Sequence, residues 1–287
     1  FILVKSSLLT KQDSKVLSTV ALYIINPCVI INAFQVQYSQ DVKNGIILSF
    51  LAAIIVHIIY IVMARMLGKV YTLNGVEKAT IIYTNAGNLI IPLVQALLGK
   101  EWVVYTTGYI LVSTIFIWTH GRMLICEETG FNVKELLKNV NVVASIIGIL
   151  MFALKIQLPS LITETMDSMS ATIAPISMIV AGMLIAGMDV KDCLKNQRLY
   201  IIIFLKMIVF PCFALILLKF TNLSSMAKNG DMILLISLLA SVAPTAASVT
   251  QIAQIYDADS EYASAYYFIT TMLCILTMPF FVWIYQF

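Results

Sequence analysis

Asn85-Ala86-Gly87-Asn88-Leu89-Ile90-Ile91-Pro92 sits at the centre of an apolar run from about Ala79 to Leu98. A helix of roughly 20 residues crosses a bilayer, so the run has the length of a membrane span. Two Asn, a Gly and a Pro in its middle are costly there. Proline removes a backbone donor and clashes with the preceding turn, and glycine loosens the helix. Hydrocarbon offers no water to the freed backbone groups, so a broken span survives only where protein or a wet cavity meets it. A second run, Met232 to Ile255, has the same character, with Ala240-Ser241-Val242-Ala243-Pro244-Thr245-Ala246-Ala247-Ser248-Val249-Thr250-Gln251 at its centre. Paired interrupted spans in the two halves of a chain point to a carrier's substrate site.

The rest of the composition agrees. Of 287 residues, 60% are hydrophobic and only 11% charged, against about 25% charged in a soluble domain. Mean hydropathy is +0.93. The runs do not alternate apolar with polar residues as barrel strands do, so the chain reads as an all-α polytopic membrane protein. Residues 1–4 read as the end of a first span whose bulk precedes this sequence. Nine further spans follow: Val16 to Phe34, Gly45 to Met63, the first broken span, Trp102 to Ile125, Val140 to Leu154, Ala171 to Met188, Leu199 to Leu218, the second broken span, and Tyr262 to Tyr285.

The two halves echo each other. Pro27 and Pro175 lie 148 positions apart, Asp41-Val42-Lys43 recurs 148 positions later as Asp189-Val190-Lys191, and Pro92 and Pro244 lie 152 apart. This predicts ten helices as 5+5 inverted repeats, because an odd number of spans per half turns the second half over. The first repeat covers residues 1–125, a central cytoplasmic link 126–139, and the second repeat 140–287. Odd-numbered links carry 12 of the 18 Lys and Arg residues and even-numbered links five. Positive charge favours the cytoplasm, so both termini are expected outside.

The charge pattern also narrows the chemistry. Lys206 and His57 are the ionisable residues deep in spans, and no Asp or Glu is. Intramembrane charge is functional by default, although Lys206 has a stem long enough to snorkel and His57 reads equally as a neutral buried imidazole. A neutral or positive interior suits an anion. Asn85 and Asn88 offer amides that donate and accept, the stumps at Pro92 and Pro244 offer backbone groups, and Thr245, Ser248, Thr250 and Gln251 make the ninth span half polar. Interhelical hydrogen bonding is the other reading of those hydroxyls. The candidate substrate-binding set is Asn85, Asn88, Pro92, Pro244, Thr245, Ser248 and Lys206, with His57, Asn26 and Gln251 as secondary or coupling residues. Five scattered cysteines without CxxC spacing suggest neither zinc nor a disulfide framework. The deep paired Asp of an intramembrane protease and the HExxH of a zinc protease are absent. No catalytic residues, metal, cofactor or nucleic-acid partner is therefore expected.

Asn85 to Leu93, with Asn seven positions before Pro-Leu, resembles the fourth-span motif of the auxin efflux carrier family, which includes the plant PIN proteins and bacterial malate and malonate permeases. Ala243-Pro244-Thr245 with Ala253-Gln254-Ile255-Tyr256-Asp257-Ala258-Asp259 resembles its ninth span, and Asn26-Pro27 and Pro175-Ile176-Ser177-Met178 its second and seventh. The resemblance implies a fold like that of sodium/proton antiporters and bile-acid symporters, with two broken crossover helices. It implies a scaffold part (1–40 and 140–190), often dimeric, and a transport part (41–125 and 191–287) that moves like an elevator. Ile90 stands where a second Gly is common, and Ser49 where plant members carry an acidic support site. The expectation is a transporter of a small organic anion, a mono- or dicarboxylate such as malate or malonate or an auxin-like acid, in a bacterial cytoplasmic membrane. Its coupling ion, sodium or proton, stays open. A cation-coupled antiporter and a non-transporting sensor are the alternatives.

Overall fold

A computed structural model describes residues 2–10, 12–36, 38–127, 140–186 and 196–286. Most of the central link 126–139, the Asp189-Val190-Lys191 copy and Cys193 lie outside the described residues, as do the side chains of Asn88 and Pro92. Among the described residues the regular structure is helical. Among the described residues five helices are long and apolar enough to cross a membrane: Asp13–Asn32, Gln40–Val70, Glu101–Ile125, Gln197–Phe220 and Ser260–Gln286. Their outward faces are strongly apolar; Ile275 and Leu276 are 68% and 72% exposed. In water such a surface would be an interaction patch; here it fits lipid.

Several boundaries move outward from the apolar runs. The helix expected from Gly45 spans Gln40–Val70, 31 residues. Ser39 caps it, its Oγ accepting the Val42 N–H at 3.1 Å. No breaker follows until Thr72 turns to φ 50°, so the polar ends continue as helical turns beyond the roughly 30 Å hydrocarbon layer. This helix lies tightly against Glu101–Ile125. A Cβ on Gly108 would stand 2.9 Å from Phe50 N and 3.0 Å from Ile46 O, so only glycine permits that approach.

Three prolines share one local solution. A wide π turn precedes each: Ala21–Ile25 before Pro27, Ala86–Ile90 before Pro92, and Leu205–Val209 before Pro211. The ring clashes with the carbonyl four residues back and gives it no donor, and a wider turn relieves both faults. Pro92 therefore opens the helix Ile91–Leu97 within its first turn. The first span breaks earlier than its proline, at Tyr83 and Asn85, where backbone angles leave the helix (φ −91°, ψ 131° and φ −78°, ψ 50°). The second span breaks beside its proline: Gly230–Val242 ends, Ala243 and Ala246 are extended, and Ala247–Ile255 resumes.

The two breaks meet. Thr84 and Thr245 form an antiparallel bridge. The Asn85 N–H donates to Pro244 O at 2.7 Å and the Ala246 N–H to Tyr83 O at 3.0 Å. Each unwound segment thus satisfies the other's backbone, which hydrocarbon would leave unpaired. The main core surrounds this crossing and draws on all the long helices except Asp13–Asn32. A small separate core, Ala21, Ile25 and Ile173, joins Asp13–Asn32 to Ile173–Ala186.

Links expected on one side of a membrane gather at one end. Lys15 pairs with Asp257 at 3.3 Å, Arg198 reaches Glu77 and the Thr72 carbonyl, and the Arg122 guanidinium lies 5.0 Å over the Tyr256 ring. At the other end Gln35 accepts the Leu158 N–H at 2.8 Å, Asn32 bonds Asp167, and Lys155 lies over the Tyr38 ring.

Candidate functional site

The break in each span positions a short half-helix. Gly75–Ile82 starts from a capping box: Asn74 Oδ1 accepts the Glu77 N–H and Glu77 Oε2 accepts the Asn74 N–H, both at 2.8 Å. Its carbonyl end points at the crossing. Ala247–Ile255 starts at the crossing with no side-chain cap, so its amide end, carrying the positive end of the helix dipole, faces the space beside the bridge.

That space is a cavity of about 60 Å³, enough for several waters or a carboxylate group. Asn26, Thr84, Asn85, Ser248 and Gln251 line it, with Trp118 closing one wall. Asn85 is buried, with its side chain beside the Tyr267 phenol. Gln251 Nε2 is buried without a hydrogen-bond partner among the described residues. Buried polar groups are nearly always satisfied, so an orphaned amide on a residue that lines the cavity points to something polar that belongs there.

The candidates separate into three groups. Asn26, Asn85, Ser248 and Gln251 converge on the cavity. Pro244 and Thr245 build the crossing behind it: Pro244 gives its carbonyl to Asn85, while Thr245 Oγ1 donates to Thr80 O at 3.4 Å and its N–H to Thr270 Oγ1 at 3.1 Å. Lys206 and His57 lie outside the lining. Lys206 is 1% exposed, and its Nζ donates to Ile81 O and Tyr83 O, both at 3.2 Å; it turns inward instead of snorkelling. His57 bonds the Ala53 carbonyl of its own helix at 2.8 Å and stacks on Phe116 at 5.5 Å. Ser49 is buried under Gly108, away from the cavity. Thr84, Ser113 and Thr114 line the cavity without having been singled out; adjacent hydroxyls at the middle of the fifth span were the available signal for the last two.

A wider cleft of about 970 Å³ adjoins the cavity through Val29. Asn32, Gln35, Glu101, Thr106 and Asp167 are among its walls. Gln254 bridges two buried serines of the Asp13–Asn32 helix, accepting from Ser18 Oγ at 2.9 Å and donating to Ser14 Oγ.

A family model described as membrane transport protein matches residues 1–135 and 129–282. The chain belongs to the membrane transport protein family. This bears out the resemblance to the auxin efflux carriers and makes the protein an integral membrane transporter by family. No curated protein matches the chain.

Proposed function

We propose that this membrane transport protein carries a small organic anion, a mono- or dicarboxylate, and holds its carboxylate in the cavity beside the crossed half-helices. The supporting observation is the convergence of Asn26, Asn85, Ser248 and the unpartnered Gln251 amide on one buried space at the amide end of Ala247–Ile255. Backbone N–H groups at a helix start suit an anion, and amide and hydroxyl donors fix its orientation. On this reading the chain is a 5+5 inverted repeat. Asn26 then comes from a scaffold part, and Asn85 and Gln251 from a transport part.

Movement between those parts is an elevator-type exchange. A state open at one end accounts for the wide cleft on one side and the Ser14–Gln254–Ser18 contact on the other. Return of the transport part breaks that contact and opens the other end. The decisive experiment is uptake of labelled malonate or malate into liposomes holding the purified protein. Uptake that saturates and is competed by other small carboxylates is expected. Protein that folds, binds no carboxylate in a thermal-shift screen and moves none would overturn the reading.

A further inference from the structure

At the first break the carbonyl end of Gly75–Ile82 is closed by the protein's own charge. The Thr80 carbonyl accepts from Thr245 Oγ1 at 3.4 Å and the Ile81 carbonyl from Lys206 Nζ at 3.2 Å. The Tyr83 carbonyl accepts from Lys206 Nζ at 3.2 Å and from the Ala246 N–H at 3.0 Å. A helix carbonyl end carries about half a negative charge, and unwound carbonyls of this kind coordinate coupling cations in other carriers. An ammonium presents three donors to the same oxygens. Among the described residues no carboxylate bonds Lys206, and its partners are the carbonyls of the stump. At the second stump no charged group bonds a carbonyl among the described residues. Ser241 O receives the Tyr60 hydroxyl at 3.5 Å, Leu238 O receives Ser241 Oγ at 2.7 Å, and Pro244 O receives the Asn85 N–H at 2.7 Å. The two breaks match in backbone and differ in charge.

We propose that Lys206 is a tethered cation, holding at the first stump the place a free coupling ion would take, so that anion binding requires no sodium. The anion part of this proposal rests on the carrier reading above; the cation part does not. A fixed ammonium costs no binding entropy each cycle, occupies the carbonyl end without a free ion, and leaves one negative charge on the ligand already matched.

The test uses the full-length purified protein with Lys206→Ser, which opens the carbonyls to a small ion, and Lys206→Met, which fills the space with an apolar stem. Melting is measured in sodium, lithium, potassium and choline chloride without carboxylate. Malonate binding is then measured by calorimetry in the same salts. The wild type should melt alike in all four, and its malonate affinity should agree between sodium and choline within a factor of about two. Lys206→Ser should be stabilised by sodium or lithium and not by choline, and its malonate affinity should rise about tenfold or more with sodium. Lys206→Met should respond to none. If Lys206→Ser is not recovered in choline, recovery in sodium or lithium supports the proposal, and failure in every salt overturns it. Wild-type melting or malonate binding that sodium specifically enhances overturns it, as does a folded Lys206→Ser indifferent to small cations. Absence of malonate binding to the wild type in every salt refutes the carrier reading alone, because the melting comparison contains no carboxylate.

Discussion

Asn85 separates the role of fold from the role of binding within one residue. Its backbone N–H holds the Pro244 carbonyl at 2.7 Å, while its side chain faces the cavity and Tyr267. Asn85→Ala keeps the first interaction and deletes the second. The bridge between the two breaks should therefore stand, and water can occupy the space the amide leaves. A hydrogen bond to a charged group contributes about 1.5–3 kcal/mol, and one between neutral groups about 0.5–1.5 kcal/mol. Malonate affinity should thus fall roughly 10- to 150-fold, and that of the uncharged malonamide only roughly 2- to 10-fold. Asn85→Asp puts a carboxylate beside the incoming one and should abolish malonate binding. The assay is calorimetry on purified protein, with melting curves as the control for folding. An Asn85→Ala protein that melts like the wild type and binds malonate equally well would show that the amide never meets the ligand.

Three further outcomes are expected. Arg198→Ala leaves the Glu77 carboxylate, 4% exposed at its side chain, without its guanidinium partner at the start of the first half-helix; it should lower stability by about 1.5–3 kcal/mol, read as a lower melting temperature that Glu77→Gln in the same protein partly restores. Gln254→Ala removes the bridge to Ser14 and Ser18; in a cysteine-free background, Ser248→Cys should react with a membrane-impermeant thiol reagent from the cleft side alone, and from both sides once Gln254→Ala is added. Glu101 and Asp167 line the cleft through which an anion would enter, so Glu101→Gln with Asp167→Asn should speed malonate association at low ionic strength and make no difference at 1 M salt, where the Debye length is about 3 Å.

Both broken spans were legible because glycine, proline and asparagine in a 20-residue apolar run conflict with every cheap way of crossing a bilayer. The position of the first break was not. Pro92 looked like the breaker, yet it lies within the second half-helix, which resumes at Ala86, and the π turn Ala86–Ile90 accommodates its ring and missing N–H. The chain leaves the helix at Tyr83 instead, because Ala246 and Lys206 offer the Tyr83 carbonyl partners outside the helix. Those partners come from the other half of the chain, so no local window contains the information. Asn26 was visible as a polar residue beside a proline in an apolar span. That it shares a cavity with Asn85 depends on how the Asp13–Asn32 helix lies against the crossing. Lys206 was correctly read as deep, but its direction depends on which carbonyls a neighbouring stump leaves open.

The crossing is held mainly by backbone. Its two hydrogen bonds, Asn85 N–H to Pro244 O and Ala246 N–H to Tyr83 O, make up the Thr84–Thr245 bridge and need a specific chain path and almost no specific side chain. Side-chain reinforcement sits on the far face, in Thr245, Thr270 and Lys206, and the near face is left to Asn26, Asn85, Ser248 and Gln251. That division has a consequence for specificity. Near-face residues can change without disturbing the bridge, so the same crossing can serve different ligands, whereas a change at Lys206 or Thr245 acts on the frame itself. Near-face substitutions should therefore move ligand affinity at constant melting temperature, and far-face substitutions should move both together. A far-face variant that altered selectivity at unchanged stability would break this division, because it would mean that the stump carbonyls, and not the amides across the cavity, read the ligand.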